Sequence, residues 1–193
     1  MVKNLYKGDH SKGEVEFVNN DHSKDIVFEN KFCKFYNDEV IFPSGSHGRF
    51  LRLAMTGNGS VAILPITEND EMVFIKTFRH SARGWGYEVP KGYCDENEPP
   101  IESAKRELLE ETGFVANKLE YVGLYHESPS TVQYGLHCFI AWGCKKVSNL
   151  NLEATEAISE NIITTSYETL PNSDYKDAIT EMLVYKYKLT KIN

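Results

Sequence analysis

Three glutamates close together on one predicted helix are the strongest candidates for chemistry in this chain. Proline suits the first turn of a helix and glycine its C-terminal end, so Pro99–Gly113 is predicted to be helical. At 3.6 residues per turn, Glu107, Glu110 and Glu111 lie on one side of it. Like charges this close repel one another, but carboxylate oxygens are ligands that Mg²⁺ prefers. The pattern indicates either a solvated acidic surface or a metal site.

The spacing around this helix favours the metal site. Gly92, five residues, Glu98, seven residues and then the segment 106–114 (RELLEETGF) match the Nudix box at every defined position. At ordinary composition a chance match is on the order of one in a billion per starting point. The chain therefore resembles the Nudix family. That resemblance implies an α/β fold, an α/β/α sandwich with a mixed sheet, in which the box forms a loop, a helix and a second loop.

The resemblance also assigns roles within the box. Glu107, Glu110 and Glu111 would be the catalytic, metal-binding glutamates, and the backbone carbonyl of Lys91 would be a further metal ligand. The implied cofactor is Mg²⁺, with Mn²⁺ as an alternative. The metal would neutralise phosphate charge and orient or deprotonate a water molecule. Glu98 and Arg106 would instead form an ion pair that braces the loop against the helix.

The tract before the box resembles the branch of the family that hydrolyses ADP-ribose and ADP-sugars. Phe78-Arg79 reads as an aromatic-arginine pair ending a strand, and Glu88-Val89-Pro90-Lys91-Gly92 as the turn into the box. Pro129 stands close to where that branch has a proline in a Ser-Pro loop. By resemblance, Arg79 would contact the diphosphate and Glu88 would contact substrate groups. The alternatives are a surface charge for Arg79 and a buried ion-pair partner for Glu88.

Two departures from that branch bear on the substrate. Lys91 replaces the usual alanine, as in family members that act on capped RNA or dinucleoside polyphosphates, and would put a positive charge beside a longer phosphate chain. The loop 131–134 lacks the glutamate that usually positions the attacking water. Gln133 can orient a water but cannot take its proton. Glu127, Glu156 or a glutamate of the box are the alternatives for that base.

The rest of the chain must position these residues. Residues 1–57 are predicted to form a small antiparallel β region, with strands at 15–18, 26–28, 32–36, 40–42 and 49–55. Residues 58–193 form the predicted Nudix catalytic domain. Its strands are predicted at 60–65 and 72–78, joined as a hairpin, and at 119–125, 135–143 and 161–165. A last helix is predicted over 174–189, with Ile179, Leu183 and Tyr187 on one stripe.

Composition restricts the partners. The net charge of −7 argues against a nucleic-acid surface. No apolar stretch is long enough for a membrane span and the start lacks the apolar run of a secretory signal, so a soluble, cytoplasmic protein is expected. The four cysteines show no CxxC pair, which indicates neither a disulfide framework nor a structural metal.

The β-rich N-terminal region resembles the extra domain through which ADP-ribose hydrolases form swapped dimers. That resemblance implies a homodimer in which Arg52 reaches the partner's substrate, although a plain surface arginine is an equal alternative.

The sequence thus predicts a metal-dependent hydrolase that splits a nucleoside diphosphate sugar such as ADP-ribose into a nucleoside monophosphate and a sugar phosphate. A rival within the family acts on dinucleoside polyphosphates or capped RNA ends. A rival of another class is a non-catalytic nucleotide-sugar sensor.

Overall fold

The computed structural model describes residues 5–55, 57, 59–152, 154 and 156–192, and these divide into two compact units. The first unit contains the described residues of Met1–Gly59 together with His126–Tyr134. The second contains those of Ser60–Tyr125 and Gly135–Asn193. The segment 126–134, which falls within the predicted catalytic domain, therefore belongs to the first unit. Residue 58, the predicted start of that domain, lies outside the described residues.

The first unit is an antiparallel sheet built around one long strand. Its strands are β1 (Glu16–Phe17), β2 (Ile26–Glu29), β3 (Cys33–Ile41) and β4 (His47–Met55). β3 pairs with β4 along its whole length, and with β1 and β2 over shorter stretches. Short 3-10 helices cover His10–Lys12 and His22–Asp25.

The prediction of two strands at 32–36 and 40–42 is wrong, because β3 runs through the polar residues between them. Asp38 is 1% exposed, and its carboxylate accepts hydrogen bonds from Nε and Nη2 of Arg52 on β4 at 2.6 and 2.8 Å. A buried charge with a two-point partner on the neighbouring strand does not interrupt pairing. The polar run that looked like a turn is therefore part of the strand.

The second unit contains an eight-stranded sheet with the main order β10-β11-β5-β6-β12. The strands are β5 (Ser60–Thr67), β6 (Met72–Arg79), β7 (Gly84–Glu88), β8 (Lys91–Tyr93), β9 (Phe114–Val115), β10 (Lys118–Tyr125), β11 (Leu136–Lys146) and β12 (Ile158–Thr164). β11 runs parallel to β5 and the other pairs are antiparallel, so the sheet is mixed. The hairpin predicted from β5 and β6 is confirmed.

Two helices cover opposite faces of this sheet. They are α1 (Pro100–Thr112) and α2 (Ala178–Thr190). Val61 and Ile63 of β5 share an apolar cluster with Leu108 of α1, whereas the alternate residue Leu64 shares another with Leu183 of α2. Successive side chains of a strand point to opposite faces of the sheet. A strand such as β5, which has a helix packed on each face, is therefore apolar along its length. The predicted α/β/α sandwich is confirmed.

Several elements differ from the sequence prediction, and those near the candidate site are the following. β7 and β8 were not predicted as strands, because the glycine-rich tract between 84 and 93 has no clean period-2 pattern. α2 begins at Ala178 rather than at residue 174, because Asp177 caps it by accepting a hydrogen bond from the Thr180 N–H. β12 begins at Ile158, three residues before the predicted start at 161. Within the part of the chain that the structure describes, no helix has the length and hydropathy to span a membrane, and the four cysteines are free thiols.

Candidate active site

The glutamates of α1 differ in their surroundings. Glu107 and Glu111 are 5% and 4% exposed, whereas Glu110 is half-buried. The first two point toward a third carboxylate, from Glu156 in the segment before β12. One carboxylate oxygen from each of Glu107, Glu111 and Glu156 lies within 4.8 Å of the other two. The second unit therefore gathers three carboxylates from two separate parts of the chain.

Glu156 had been one of three alternatives for the missing loop glutamate. It stands far from the box in sequence and has no motif of its own, so no local signal distinguished it from other acidic residues. Its place in the cluster follows from the pairing of β12 with β6, which brings the start of β12 to the end of β6 where the site lies. Glu127, another alternative, belongs to the first unit and accepts a hydrogen bond from the Tyr134 hydroxyl at 3.2 Å.

The electrostatics of the cluster fit a divalent cation. Burial raises the pKa of Glu107, Arg106 lowers it, and the nearby Glu110 and Glu156 carboxylates add to the rise, so that the pKa lies at about 7. Burial, with Glu107 and Glu156, raises the pKa of Glu111 to about 8. Holding these groups ionised is costly without a counter-ion. Closely spaced carboxylate oxygens are also the donor set that Mg²⁺ and Mn²⁺ prefer, so the residues present fit the expected metal.

The glycine of the box is required by close packing. A Cβ on Gly92 would lie 2.0 Å from Cδ of Glu107, inside the space that this carboxylate occupies. Next to it, the Lys91 N–H donates to Oε2 of Glu111 at 2.8 Å. The start of β8 therefore packs its main chain directly against the carboxylates of Glu107 and Glu111. The metal-binding role of the Lys91 carbonyl stays a prediction.

The predicted ion pair between Glu98 and Arg106 is present. Nη2 of Arg106 lies 3.1 Å from Oε2 of Glu98 and also donates to the Tyr93 carbonyl at 2.9 Å, which ties the loop to the helix. Nη1 of Arg106 donates to Glu107 at 2.7 Å and to Glu110 at 3.2 Å. Arg106 thus engages Glu110 and limits the repulsion along the acidic face.

A second charged network lies beside the carboxylates and centres on Glu88, which is 1% exposed. Its oxygens accept two hydrogen bonds from Arg79, at 3.0 and 2.7 Å, and one from the Tyr175 hydroxyl at 2.5 Å. The Lys91 ammonium lies 2.8 Å from Oε2. Burial alone would raise the pKa of Glu88, but Arg79 and Lys91 lower it to about 2. Glu88 is therefore a buried ion-pair partner, the alternative considered for it.

Arg79 is the member of this network that faces outward. Its side chain is 43% exposed, and the two nitrogens that bind Glu88 are Nε and Nη2. The hydrogen bonds to Glu88 raise the pKa of Arg79, and the charge of the Glu111 carboxylate adds to this rise, so Arg79 also lies within electrostatic range of Glu111. Arg79 can present Nη1 to an anion beside the carboxylate cluster while Glu88 holds the rest of the guanidinium.

The side chain of Lys91 has surroundings that the sequence did not predict. Its ammonium lies 2.8 Å from Glu88 and 2.8 Å from Asp177, and the side chain is 13% exposed. Two carboxylates therefore neutralise the charge that had been assigned to a longer phosphate chain. The sequence did not indicate Asp177 or Tyr175 as site residues, because neither belongs to a motif. An aspartate just before a helix is an ordinary N-cap signal and does not by itself indicate a site.

Arg52 and Gln133 belong to the first unit and bind each other there. Arg52 also makes the two-point ion pair with Asp38, stacks over the Tyr36 ring at 3.8 Å, and is 12% exposed. These residues adjoin a cavity of about 240 Å³ whose walls include Phe17 and Pro129. Gln133, a candidate for orienting water, is thus a hydrogen-bond partner of Arg52.

The sandwich fold and the carboxylate cluster indicate a class of metal-dependent enzyme. Comparison with known proteins identifies the family. The model of the NUDIX domain matches residues 58–177, and the chain belongs to this family. The family predicted from the box is therefore confirmed.

Particular relatives lie in the predicted branch. The chain is 31% identical to an ADP-ribose pyrophosphatase of Bacillus subtilis (strain 168) over 119 residues, which are 62% of this chain and 63% of the relative. It is 29% identical to the ADP compounds hydrolase NudE of Escherichia coli (strain K12), over 53% of this chain and 55% of the relative. The chain thus matches under two thirds of the length of each. A solved structure of an ADP compounds hydrolase shares the fold, with a TM-score of 0.73, 21% identity and 98% of both chains covered.

Proposed function

We propose that this protein is a metal-dependent hydrolase that cleaves the diphosphate linkage of nucleoside diphosphate sugars such as ADP-ribose, giving a nucleoside monophosphate and a sugar phosphate. The observation that carries the proposal is the cluster of Glu107, Glu111 and Glu156 with the exposed side of Arg79 next to it. Support for the substrate class comes from relatives named as ADP-ribose pyrophosphatase and ADP compounds hydrolase.

In this proposal the glutamates bind the metal ion and Arg79 binds the substrate. Glu107 and Glu111 would hold Mg²⁺ or Mn²⁺, with Glu110 as a further candidate ligand. When bound, the metal neutralises phosphate charge and lowers the pKa of a coordinated water. Arg79 would donate to a diphosphate oxygen, because a guanidinium suits phosphate and Glu88 fixes its orientation.

The reaction adds one water molecule across the linkage. The water oxygen forms a bond to one phosphorus, the bond from that phosphorus to the bridging oxygen breaks, and the bridging oxygen leaves with the other phosphate. A carboxylate must take the proton of the water, because Gln133 cannot. Glu156 is our candidate for this base. It adjoins the two buried glutamates and is itself less buried than they are.

The rival substrates receive less support. The case for capped RNA or dinucleoside polyphosphates depended on the charge of Lys91, and that charge is paired with Glu88 and Asp177. A non-catalytic sensor would not need three carboxylates at metal-binding separation. The expected homodimer stays a prediction, and light scattering of the purified protein tests it.

The test is a panel of ADP-ribose, other nucleotide sugars and a dinucleoside tetraphosphate, incubated with the purified protein and Mg²⁺ or Mn²⁺. We expect ADP-ribose to yield AMP and ribose phosphate, detected by chromatography. The Glu111→Gln variant should lose at least about a hundredfold in kcat, as expected for removing a group that holds the reacting centre. Glu102→Gln on the exposed side of the same helix is the matched control, because Glu102 pairs with Lys105 there.

Three outcomes would contradict the proposal. Absence of product from every compound in the panel would exclude the hydrolase and leave binding without turnover, as a sensor predicts. Faster cleavage of the dinucleoside tetraphosphate than of any nucleotide sugar would favour the first rival. Full activity of Glu111→Gln would show that the carboxylate cluster is not the site.

A further inference from the structure

The N-terminus of α2 contacts the chain around the start of β8 at two residues, Val89 and Lys91. Asp177 caps the helix with Oδ2, which accepts from the Thr180 N–H at 2.8 Å and from the Thr180 hydroxyl at 2.6 Å. Its other oxygen, Oδ1, accepts from the Lys91 ammonium at 2.8 Å. The Val89 N–H donates to the Thr180 hydroxyl oxygen at 3.0 Å. One aspartate therefore both caps the helix and binds the lysine that begins β8.

The same lysine reaches the carboxylate cluster through its main chain. The Lys91 N–H donates to Oε2 of Glu111 at 2.8 Å, while its ammonium is held by Glu88 and Asp177. The side chain is 13% exposed, so these contacts are largely removed from water and weakly screened. A continuous series of charge-assisted hydrogen bonds thus runs from Asp177 through Lys91 to Glu111.

The segment before Asp177 strengthens this contact. Asp174 makes two hydrogen bonds with the main chain of Trp85. The Asp174 N–H donates to the Trp85 carbonyl at 2.9 Å, and the Asp174 carboxylate accepts from the Trp85 N–H at 2.8 Å. The Tyr175 ring lies over Gly86, where a Cβ would meet it at 2.4 Å, and its hydroxyl donates to Glu88. The segment 174–177 therefore lies along β7 and ends at the Lys91 ammonium.

We infer that Asp177 is a positioning residue for the metal site, which it acts on through Lys91. By fixing the lysine side chain, Asp177 fixes the main chain at the start of β8 and hence the Glu111 carboxylate that the Lys91 N–H holds. A ligand whose orientation is set by an outer hydrogen bond binds metal more tightly than a mobile one. An effect of Asp177 on catalysis rests on the proposed function. Its effects on metal binding and on the Lys91 amide can be measured whether or not that function is correct.

Asp177→Asn separates the two tasks of the residue. Asparagine caps helices about as well as aspartate, so α2 is retained, while the charged partner of Lys91 is lost. Asp177→Ala removes both the cap and the partner. Lys191→Met is the matched control, because it breaks the ion pair between Lys191 and Asp70 at the other end of the same helix.

Three measurements test the inference in the full-length chain. Calorimetric titration with Mn²⁺ should show affinity about ten- to a hundredfold weaker for Asp177→Asn, and Lys191→Met should bind like the wild type. Hydrogen exchange of the Lys91 amide, followed by NMR without metal, should be faster in Asp177→Asn and unchanged in Lys191→Met. The melting temperature of Asp177→Asn should lie above that of Asp177→Ala, since its cap remains.

A double-mutant cycle identifies the route. If Asp177 acts through Lys91, Asp177→Asn should weaken Mn²⁺ binding no further once Lys91→Met is present. Independent losses that multiply would overturn the inference, as would wild-type amide exchange at Lys91 in Asp177→Asn. If the wild type binds Mn²⁺ but cleaves no nucleotide, the proposed function is wrong. The amide-exchange and Mn²⁺-binding results would still decide whether Asp177 positions the metal site.

Discussion

The guanidinium of Arg79 and the carboxylate of Glu88 are joined by two hydrogen bonds, from Nε to Oε1 at 3.0 Å and from Nη2 to Oε2 at 2.7 Å. Arg79 ends β6, and Glu88 ends the neighbouring strand β7. Two parallel contacts fix the plane of the guanidinium as well as its position. If Arg79 binds the diphosphate as proposed, Glu88 contributes by orienting the Arg79 guanidinium, without needing to contact the substrate itself.

The first prediction concerns this orientation. Arg79→Lys keeps the positive charge but replaces a planar fork by a point charge on a flexible stem, which cannot make the two-point contact. We expect KM for the nucleotide sugar to rise by about tenfold or more, corresponding to about 1.4 kcal/mol of lost binding. Steady-state kinetics measure it, with Arg83→Lys as control because Arg83 is exposed and bonds to His80. An unchanged KM in Arg79→Lys would mean that charge alone matters.

The second prediction concerns Gly92. In Gly92→Ala the new methyl group would occupy the position of the Glu107 carboxylate, whose Cδ lies 2.0 Å from the ideal Cβ. The far end of a glutamate can move, so we expect a melting temperature within a few degrees of the wild type. We expect a loss in kcat of about a hundredfold, because the carboxylate proposed as a metal ligand is displaced.

The control for Gly92→Ala uses the residue that it displaces. Once Glu107→Gln has removed the ligand, adding Gly92→Ala should cost little more, since both changes affect one carboxylate. Kinetics of the two single variants and the double variant measure this. Losses that multiply would show that Gly92 acts through something other than Glu107.

The sequence predicted those parts of the site that depend on local spacing. Glu107 and Glu111 lie on one side of α1 because of the helical period, and Gly92 and Glu98 are identified by their distance from it along the chain. The apolar runs at 60–65 and 72–78, joined by a short polar turn, predicted the hairpin that β5 and β6 form. These features need no knowledge of which distant segments meet.

Contacts between distant segments could not be predicted in this way. Glu156 joins the cluster because β12 pairs with β6, and Asp177 meets Lys91 because α2 begins beside β7. Neither relationship leaves a pattern in one sequence. The partners of the Lys91 side chain could not be predicted for the same reason, since a lysine beside a phosphate site and a lysine buried between two carboxylates look identical in the sequence.

The third prediction tests Glu156. If this carboxylate belongs to the site, Glu156→Gln should lower kcat by at least about tenfold, the smaller part of the range expected for general acid-base catalysis or an outer metal contact. Glu160→Gln is the control, because Glu160 lies on β12 in an exposed pair with Lys76 at 3.3 Å. Equal activity of the two variants would remove Glu156 from the site. A selective loss at Glu156 with an unchanged melting temperature would distinguish chemistry from folding.

The fourth prediction is a pH dependence of stability. Burial raises the pKa of Glu107 to about 7 and of Glu111 to about 8, above the ordinary value near 4.5. Between those values the metal-free folded chain binds more protons than the unfolded chain, so its free energy of unfolding falls as pH rises from about 4.5 to about 8. Removing the charge at one site should weaken this trend, so Glu111→Gln should melt higher than the wild type near pH 8.

The measurement is a series of thermal unfolding curves across that pH range, with chelator and then with Mg²⁺. A cation between the ionised carboxylates offsets their repulsion, so Mg²⁺ should raise the melting temperature of the wild type more at pH 8 than at pH 6, where bound protons compete with it. Glu111→Gln should respond less to the metal at both values. A metal-free wild type whose melting temperature rises from pH 6 to pH 8, with no response to Mg²⁺, would contradict both the raised pKa values and the assignment of these carboxylates as metal ligands.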